Sequence, residues 1–144
     1  MIIQAITWQE CLPIRQQVLW PNLPEIFCQT EEDKDAKHYG VYIDNQLVSV
    51  ASLYSKTIND ICRVRLRRFA TIQSHQGKGV GKKLLSHIIQ DLTSLGVDYF
   101  WCDARKDNQQ YYKELGFNII GQAFYKMDIE YYKFELKLNH IHRE

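Results

Sequence analysis

The stretch Arg65-Leu66-Arg67-Arg68-Phe69-Ala70-Thr71-Ile72-Gln73-Ser74-His75-Gln76-Gly77-Lys78-Gly79-Val80-Gly81-Lys82-Lys83-Leu84-Leu85 decides the fold. It reads as a strand, a short turn, a glycine-rich loop and the opening of a long amphipathic helix. Gly77, Gly79 and Gly81 let the backbone come close to a ligand, because no Cβ stands between them. The first helical turn adds N–H groups without intrahelical acceptors and the positive end of the helix dipole. Together these features predict a phosphate site. A Walker loop finds no register here. The dinucleotide fingerprint fails as well, because Gly77-x-Gly79 leads to Lys82 and Gly79-x-Gly81 leads to Leu84. What fits is Q-x-x-G-x-G, as Gln76, Gly79 and Gly81.

Upstream of the loop, Cys62, Val64 and Leu66 alternate with Arg63, Arg65 and Arg67, giving one apolar and one basic face. The phase then slips, with Phe69 and Thr71 on odd positions. A one-residue slip in a two-residue period predicts a β-bulge near Arg67–Phe69. Such a bulge leaves backbone groups unpaired and parts this strand from the next one, Val97 to Cys102. Downstream, Val80, Leu84, Leu85, Ile88, Ile89, Leu92 and Leu95 trace one helical stripe that Gly96 ends. A second helix, about Asp107 to Leu115, stops at Gly116, and Phe117 to Leu138 supplies two more strands. Toward the N-terminus, Ile2 to Ile6 is a strand and Thr7 caps a helix from Trp8 to Trp20, with Pro13 in its early turns. Residues 21–37 are irregular, and Glu31, Glu32, Asp33 and Asp35 among them read as a solvated patch, without cation-ligand spacing. His38 to Ile43 and Gln46 to Tyr54 form a hairpin about Asp44-Asn45, and Asn59-Asp60 marks the next turn. The strand–helix–strand unit around the loop predicts a parallel right-handed crossover. The fold class is therefore α+β, with one mixed sheet of about seven strands.

At 144 residues the chain is read as one domain, residues 1–144. With 18 basic against 17 acidic residues the net charge is +1, so no whole-protein field draws it to nucleic acid or membrane. No apolar run approaches membrane-spanning length and no secretory leader is read, so a cytoplasmic protein is expected. Cys11, Cys28, Cys62 and Cys102 show no metal-type pairing and read as reduced thiols, and no metal is expected. His140 and His142 in the tail lack a third ligand and read as a frayed end.

The element order resembles that of the GNAT superfamily, the acetyl-CoA-dependent N-acyltransferases, across nearly the whole chain. Q-x-x-G-x-G is similar to its pyrophosphate-binding motif, and Tyr111-Tyr112-Lys113-Glu114-Leu115-Gly116-Phe117 resembles its F-Y-x-x-L-G-F segment. Trp101-Cys102-Asp103-Ala104-Arg105, with Arg15, Val18, Leu19 and His38-Tyr39-Gly40, resembles a bacterial subgroup of mostly uncharacterised acyltransferases. The resemblance implies helices on both sheet faces and a split between the fourth and fifth strands. It implies acetyl-CoA as co-substrate, with Phe69, Ala70 and Thr71 along the pantetheine arm. Gln76, Gly77, Lys78, Gly79, Val80, Gly81 and Lys82 would then surround the pyrophosphate. Asn108 is carried over as a further contact, although Arg105 and Asn108 stand where the widespread pattern has asparagine and alanine.

Acyl transfer to an amine needs a held thioester, a neutral amine, oxyanion stabilisation and a proton for the departing thiolate. A bulged strand can grip and polarise the thioester, and proximity does much of the rest. Tyr112 is the candidate general acid, its competing role being an aromatic that packs the helix against the sheet. Asp103, His38 and His75 are weighed as bases, and none is placed in the site. Cys102 reads as a buried thiol, since no His–acid pair accompanies it. The acceptor is expected to be a small-molecule or peptide amine, and a homodimer is left open. Two other classes stand beside this one. A catalytically silent CoA-binding sensor would bind acetyl-CoA without turnover. A nucleic-acid module would use Arg63, Arg65, Arg67 and Arg68, although no aromatic interleaves with them.

Overall fold

The computed structural model describes residues 1–138. Seven strands form one sheet in the order β1-β2-β3-β4-β5-β7-β6. They are β1 (Ile2–Ile6), β2 (Lys37–Ile43), β3 (Gln46–Ile58), β4 (Ile61–Thr71), β5 (Tyr99–Arg105), β6 (Asn118–Lys126) and β7 (Ile129–Lys137). Three helices accompany them: α1 (Trp8–Ile14), α2 (Val80–Ser94) and α3 (Gln109–Glu114). All the pairings given for the sheet are antiparallel except β4 with β5, which is parallel with Arg63↔Tyr99, Val64↔Phe100 and Arg65↔Trp101 in register. The mixed α+β sheet with its parallel step at the fourth and fifth strands is the one expected. The His140-Ile141-His142 tail lies outside the described residues.

Compactness divides the chain into two units, Met1–Tyr54 with Leu66–Ile88, and Ser55–Arg65 with the chain from Ile89 onward. In the first, Thr7 caps α1 as its sequence predicts. Its side chain accepts from the Glu10 N–H at 3.2 Å, while Glu10 Oε1 accepts from the Thr7 N–H at 2.9 Å. Beyond Ile14 the helix widens into a π-helical turn, Arg15–Leu19, closed by Trp20 N–H on the Arg15 carbonyl at 3.0 Å. The β2–β3 turn puts Asp44 and Asn45 at φ +51 and +64, the left-handed pair of a tight hairpin. The core gathers Cys11, Leu12, Ile14, Val41, Val48, Val50, Leu53, Leu84, Leu85 and Ile88.

One polar cluster is buried with them. The fully buried Arg15 forks onto Asp33, Nη1 to Oδ2 at 2.7 Å and Nη2 to Oδ1 at 2.9 Å. It also donates to the Cys28 carbonyl and to Ser52 Oγ, each at 3.0 Å. His38 donates from Nε2 to the Asp33 carbonyl at 2.9 Å, and its Nδ1 shares a 2.7 Å hydrogen bond with Ser52 Oγ. Tyr54 donates to Asp33 Oδ1 at 3.1 Å. Burial opposes ionisation of Asp33, but hydrogen bonds from Arg15 and the Thr30 N–H outweigh it and hold the carboxyl well below the usual range. This cluster fastens the irregular segment to β2 and β3. Asp33, read from sequence as part of a solvated patch, is its centre.

In the second unit Asn59-Asp60 and Met127-Asp128 repeat the left-handed pair, at φ +51 and +65 and at +49 and +66. Helix α3 ends in a Schellman motif, with Phe117 N–H on the Tyr112 carbonyl at 3.1 Å and Gly116 N–H on the Lys113 carbonyl at 3.0 Å. Gly116 takes the left-handed conformation, φ +98, that this motif demands. The same bonds recur at Gly96 after α2. Leu95, assigned from sequence to the buried stripe, lies past the last helical residue and is 65% exposed. The core of this unit is aromatic: Phe100, Tyr112, Phe117 and Phe134.

Candidate active site

The first unit brings together all the residues predicted to hold the donor's arm and phosphates. Within β4, Arg68 takes φ +53, a conformation that L side chains avoid. It falls in the stretch Arg67–Phe69 where a bulge is expected, but the one-residue slip that a bulge brings is absent from the burial pattern. Val64 and Leu66 before it, and Ala70 and Ile72 after it, are buried, while Phe69 is only half-buried. The side chains of Ser49 and Gln76 tie down the end of β4 beyond this point. Ser49 Oγ lies 3.1 Å from the Ala70 carbonyl and 2.8 Å from Thr71 Oγ1, and Gln76 donates to the Thr71 carbonyl at 2.8 Å. Gln76 therefore closes the loop onto the end of β4.

The loop itself is exposed from Gln76 to Gly79, and Val80 is buried at the start of α2. Gly77 and Gly79 are left-handed, at φ +74 and +81, and a Cβ on either would meet no protein atom within 4 Å. Their glycine requirement is thus set by backbone conformation, with open space left for a ligand. Gly81 lies inside α2, among the glycines without positive φ. The N–H groups of Gly77, Lys78 and Gly79 meet no acceptor among the described residues, and the Gly79 carbonyl takes the Lys83 N–H at 3.1 Å. Unpaired donors leading into a helix N-terminus suit a phosphate.

In the second unit Tyr112 is 6% exposed. Its ring stacks on Phe134 with centroids 5.1 Å apart and meets Phe117 and Tyr111 edge-on at 5.5 and 5.2 Å. Its phenol interacts with the buried Cys102 thiol. Burial, reinforced by Cys102 and Tyr111, raises the phenol far above its ordinary range, so it stays protonated. Burial likewise pushes the Cys102 thiol up to about 12, as an inert buried thiol requires. Asn108 is exposed and stands at the start of α3, at φ −94 and ψ 10, without a side-chain capping bond.

The base candidates fare differently. Both ring nitrogens of His38 are taken within the buried cluster. Asp103 is salt-bridged to Arg65 at 3.0 Å, and His75 lies in a short turn, bonded to Ser74 at 2.9 Å. Sequence reasoning missed the aromatic partners of the β4 arginines, which come from elsewhere in the chain. Arg63 lies 4.2 Å from the Tyr99 ring, Arg65 4.6 Å from Trp101 and Arg68 5.5 Å from Trp20.

Known proteins share this architecture. The profile of the acetyltransferase (GNAT) domain matches residues 21–138. The uncharacterized N-acetyltransferase YitI of Bacillus subtilis is 29% identical over 127 residues, covering 85% of each chain. The ribosomal-protein-S18-alanine N-acetyltransferase of Escherichia coli superposes with a TM-score of 0.74 at 20% identity, covering 96% of this chain and 94% of that one. Escherichia coli ElaA gives 0.74 at 21%, covering 94% and 99%. The profile spans most of the chain, including β4, the glycine loop and the Tyr-Tyr-x-x-Leu-Gly-Phe segment described above, and so the chain belongs to the GNAT acetyltransferases, with acyl transfer as its class of activity.

Proposed function

We propose that the protein, acting as a single catalytic domain over residues 1–144, moves an acetyl group directly from acetyl-CoA to the amine of a small molecule or peptide. The observation that carries this reading is the sequence of backbone states along one segment: left-handed Arg68 within β4, left-handed Gly77 and Gly79, then the start of α2. Phe69, Ala70 and Thr71 run along the pantetheine arm. Gly77, Lys78, Gly79, Val80, Gly81 and Lys82 surround the phosphates, and Gln76 holds the loop closed. Asn108 is assigned as an outer contact. When bound, acetyl-CoA supplies the activated thioester. The acceptor nitrogen forms its bond to the acyl carbon, the carbon–sulfur bond breaks, and Tyr112 gives its phenolic proton to the sulfur while the nitrogen loses one to solvent.

A fully protonated, buried phenol is the right state for an acid, but its enclosure by Tyr111, Phe117 and Phe134 must open before it can serve. That enclosure favours a second reading, a silent CoA-binding sensor. An amine panel with acetyl-CoA and a thiol-release readout, run beside calorimetry of acetyl-CoA binding, separates the two. Binding with turnover supports the enzyme, binding without turnover supports the sensor, and no binding overturns both. The reading places the protein in the cytoplasm, with no metal, nucleic acid or membrane involved and a homodimer admitted. No described helix is long and apolar enough to cross a membrane.

A further inference from the structure

Four arginines stand on β4, and three have acids. Arg63 meets Glu135 at 2.7 Å, Arg65 meets Asp103 at 3.0 Å and Arg67 reaches Glu32 at 4.0 Å. Arg68 has none among the described residues. Its guanidinium is half-buried over the Trp20 ring, and its Nε is enclosed without an acceptor. Asp33, an acid in its vicinity, is already held by both nitrogens of the Arg15 fork. Burial, with Arg67 adding repulsion, lowers the Arg68 guanidinium from its ordinary value, the mark of a cation short of a counter-charge. A buried donor without a partner calls for an explanation. So does the backbone: φ +53 is a left-handed conformation that strains an arginine and that glycine adopts freely. A long cation is kept at a position whose geometry favours glycine.

We propose that Arg68 is the acceptor-binding residue of the site, taking a carboxylate of the incoming amine, so that the acceptor class is amines bearing a carboxylate, such as amino acids. The inference rests on the acyl-transfer reading given above. Arg68 lies at the end of the Phe69–Thr71 segment remote from the phosphate loop, and Thr71 alone is about 10 Å further along an extended strand. A donor phosphate is therefore accounted for elsewhere, and the anion left for Arg68 belongs to the acceptor. The planar fork suits a bidentate carboxylate, and Trp20 gives the rest of the molecule an aromatic wall. The same positive surroundings disfavour a second cation, which counts against polyamines. They also lower the pKa of the bound amine, promoting the neutral form that attacks.

The test uses matched triplets: an amino acid, its carboxamide and its decarboxylated amine, in aromatic, aliphatic and ω-amino series. Each is assayed by thiol release from acetyl-CoA with the wild-type chain and with Arg68→Gly, which removes the guanidinium while easing the left-handed backbone. The wild type is expected to favour the carboxylate by about 10- to 100-fold in kcat/KM, mostly through KM. Arg68→Gly should erase that preference and leave the calorimetric affinity for acetyl-CoA unchanged. Equal or better turnover of carboxamides overturns the inference and leaves acyl transfer standing. Loss of acetyl-CoA affinity in Arg68→Gly also overturns it, by assigning the cation to the donor. If acetyl-CoA binds but no triplet turns over, calorimetry with the N-acetyl amino acid and its N-acetyl carboxamide decides. Arg68-dependent binding of the acid alone supports the inference, and its absence overturns it. If acetyl-CoA does not bind to the wild type, the acyl-transfer reading and the inference fall together.

Discussion

The two units solve the problem of a core differently. In the first, a charged fork sits among aliphatic side chains: Arg15 on Asp33, with Ser52, His38 and Tyr54 adding hydrogen bonds while the Arg15 Nε has none. In the second, Tyr112, Phe117 and Phe134 pack ring on ring. A buried charge cluster tolerates no missing member, because each loss strands another charge. An aromatic cluster tolerates the loss of one hydroxyl and keeps its shape. The first arrangement fixes an irregular chain segment in place. The second holds a proton donor in an apolar setting where it can be spent. Residues that resemble subgroup markers, Arg15 and His38, thus turn out to be architectural.

The contrast is sharpest in Tyr112→Phe. On the proposed mechanism kcat falls by about 10²- to 10⁴-fold, while the folded state loses one hydroxyl and keeps its ring packing, a change of about 1 kcal/mol. Steady-state kinetics and urea denaturation of the same preparation check both halves. Equal losses in rate and stability would reduce Tyr112 to packing. Asp33→Ala is expected to do the opposite. It strands the fully buried Arg15 guanidinium and should destabilise the fold by about 3–5 kcal/mol, read from the denaturation midpoint.

Acid provides a gentler probe. The Asp33 carboxyl is depressed in the folded state, so its contribution is present above the unfolded value of about 3.9 and fades as pH falls below it toward the lower folded value. Denaturation curves at pH 7, 5 and 3 should show little change over the first interval and a loss over the second. Asp33→Asn should remove that part of the slope. Smallest of all, Gly79→Val meets no protein atom but forces a β-branched residue to φ +81. It should cost about 1–2 kcal/mol of stability and, by crowding the loop, weaken acetyl-CoA binding about tenfold, as calorimetry would register.

How much of this could be read from the chain depended on whether the controlling contact was local. Gly96 and Gly116 announce helix ends because the Schellman bonds span only a few residues. Asp44-Asn45 is equally local and was legible, whereas Val64, Leu66, Ala70 and Ile72 keep one burial phase through Arg68, so the expected slip is not seen and only the left-handed residue marks its place. The Met127-Asp128 turn was not legible, since methionine at φ +49 gives no turn signal and the strand pairing imposes it. Nothing in the sequence tied Arg15 to Asp33, 18 positions away, or His38 to Ser52, 14 away. The acidic run read as solvated because only tertiary packing singles out Asp33 from its neighbours. The aromatic faces over the β4 arginines were hidden for the same reason.

The cysteines carry a practical corollary. Cys11, Cys28 and Cys102 are enclosed, burial raising the thiol of each, to about 11 for Cys11 and about 12 for Cys102, whereas Cys62 is only half-buried. A chromogenic disulfide reagent should therefore count at most one sulfhydryl per native chain and four once the chain is denatured. The native protein is nearly silent to the dye that would report free coenzyme, so the molecule comes with its own low background.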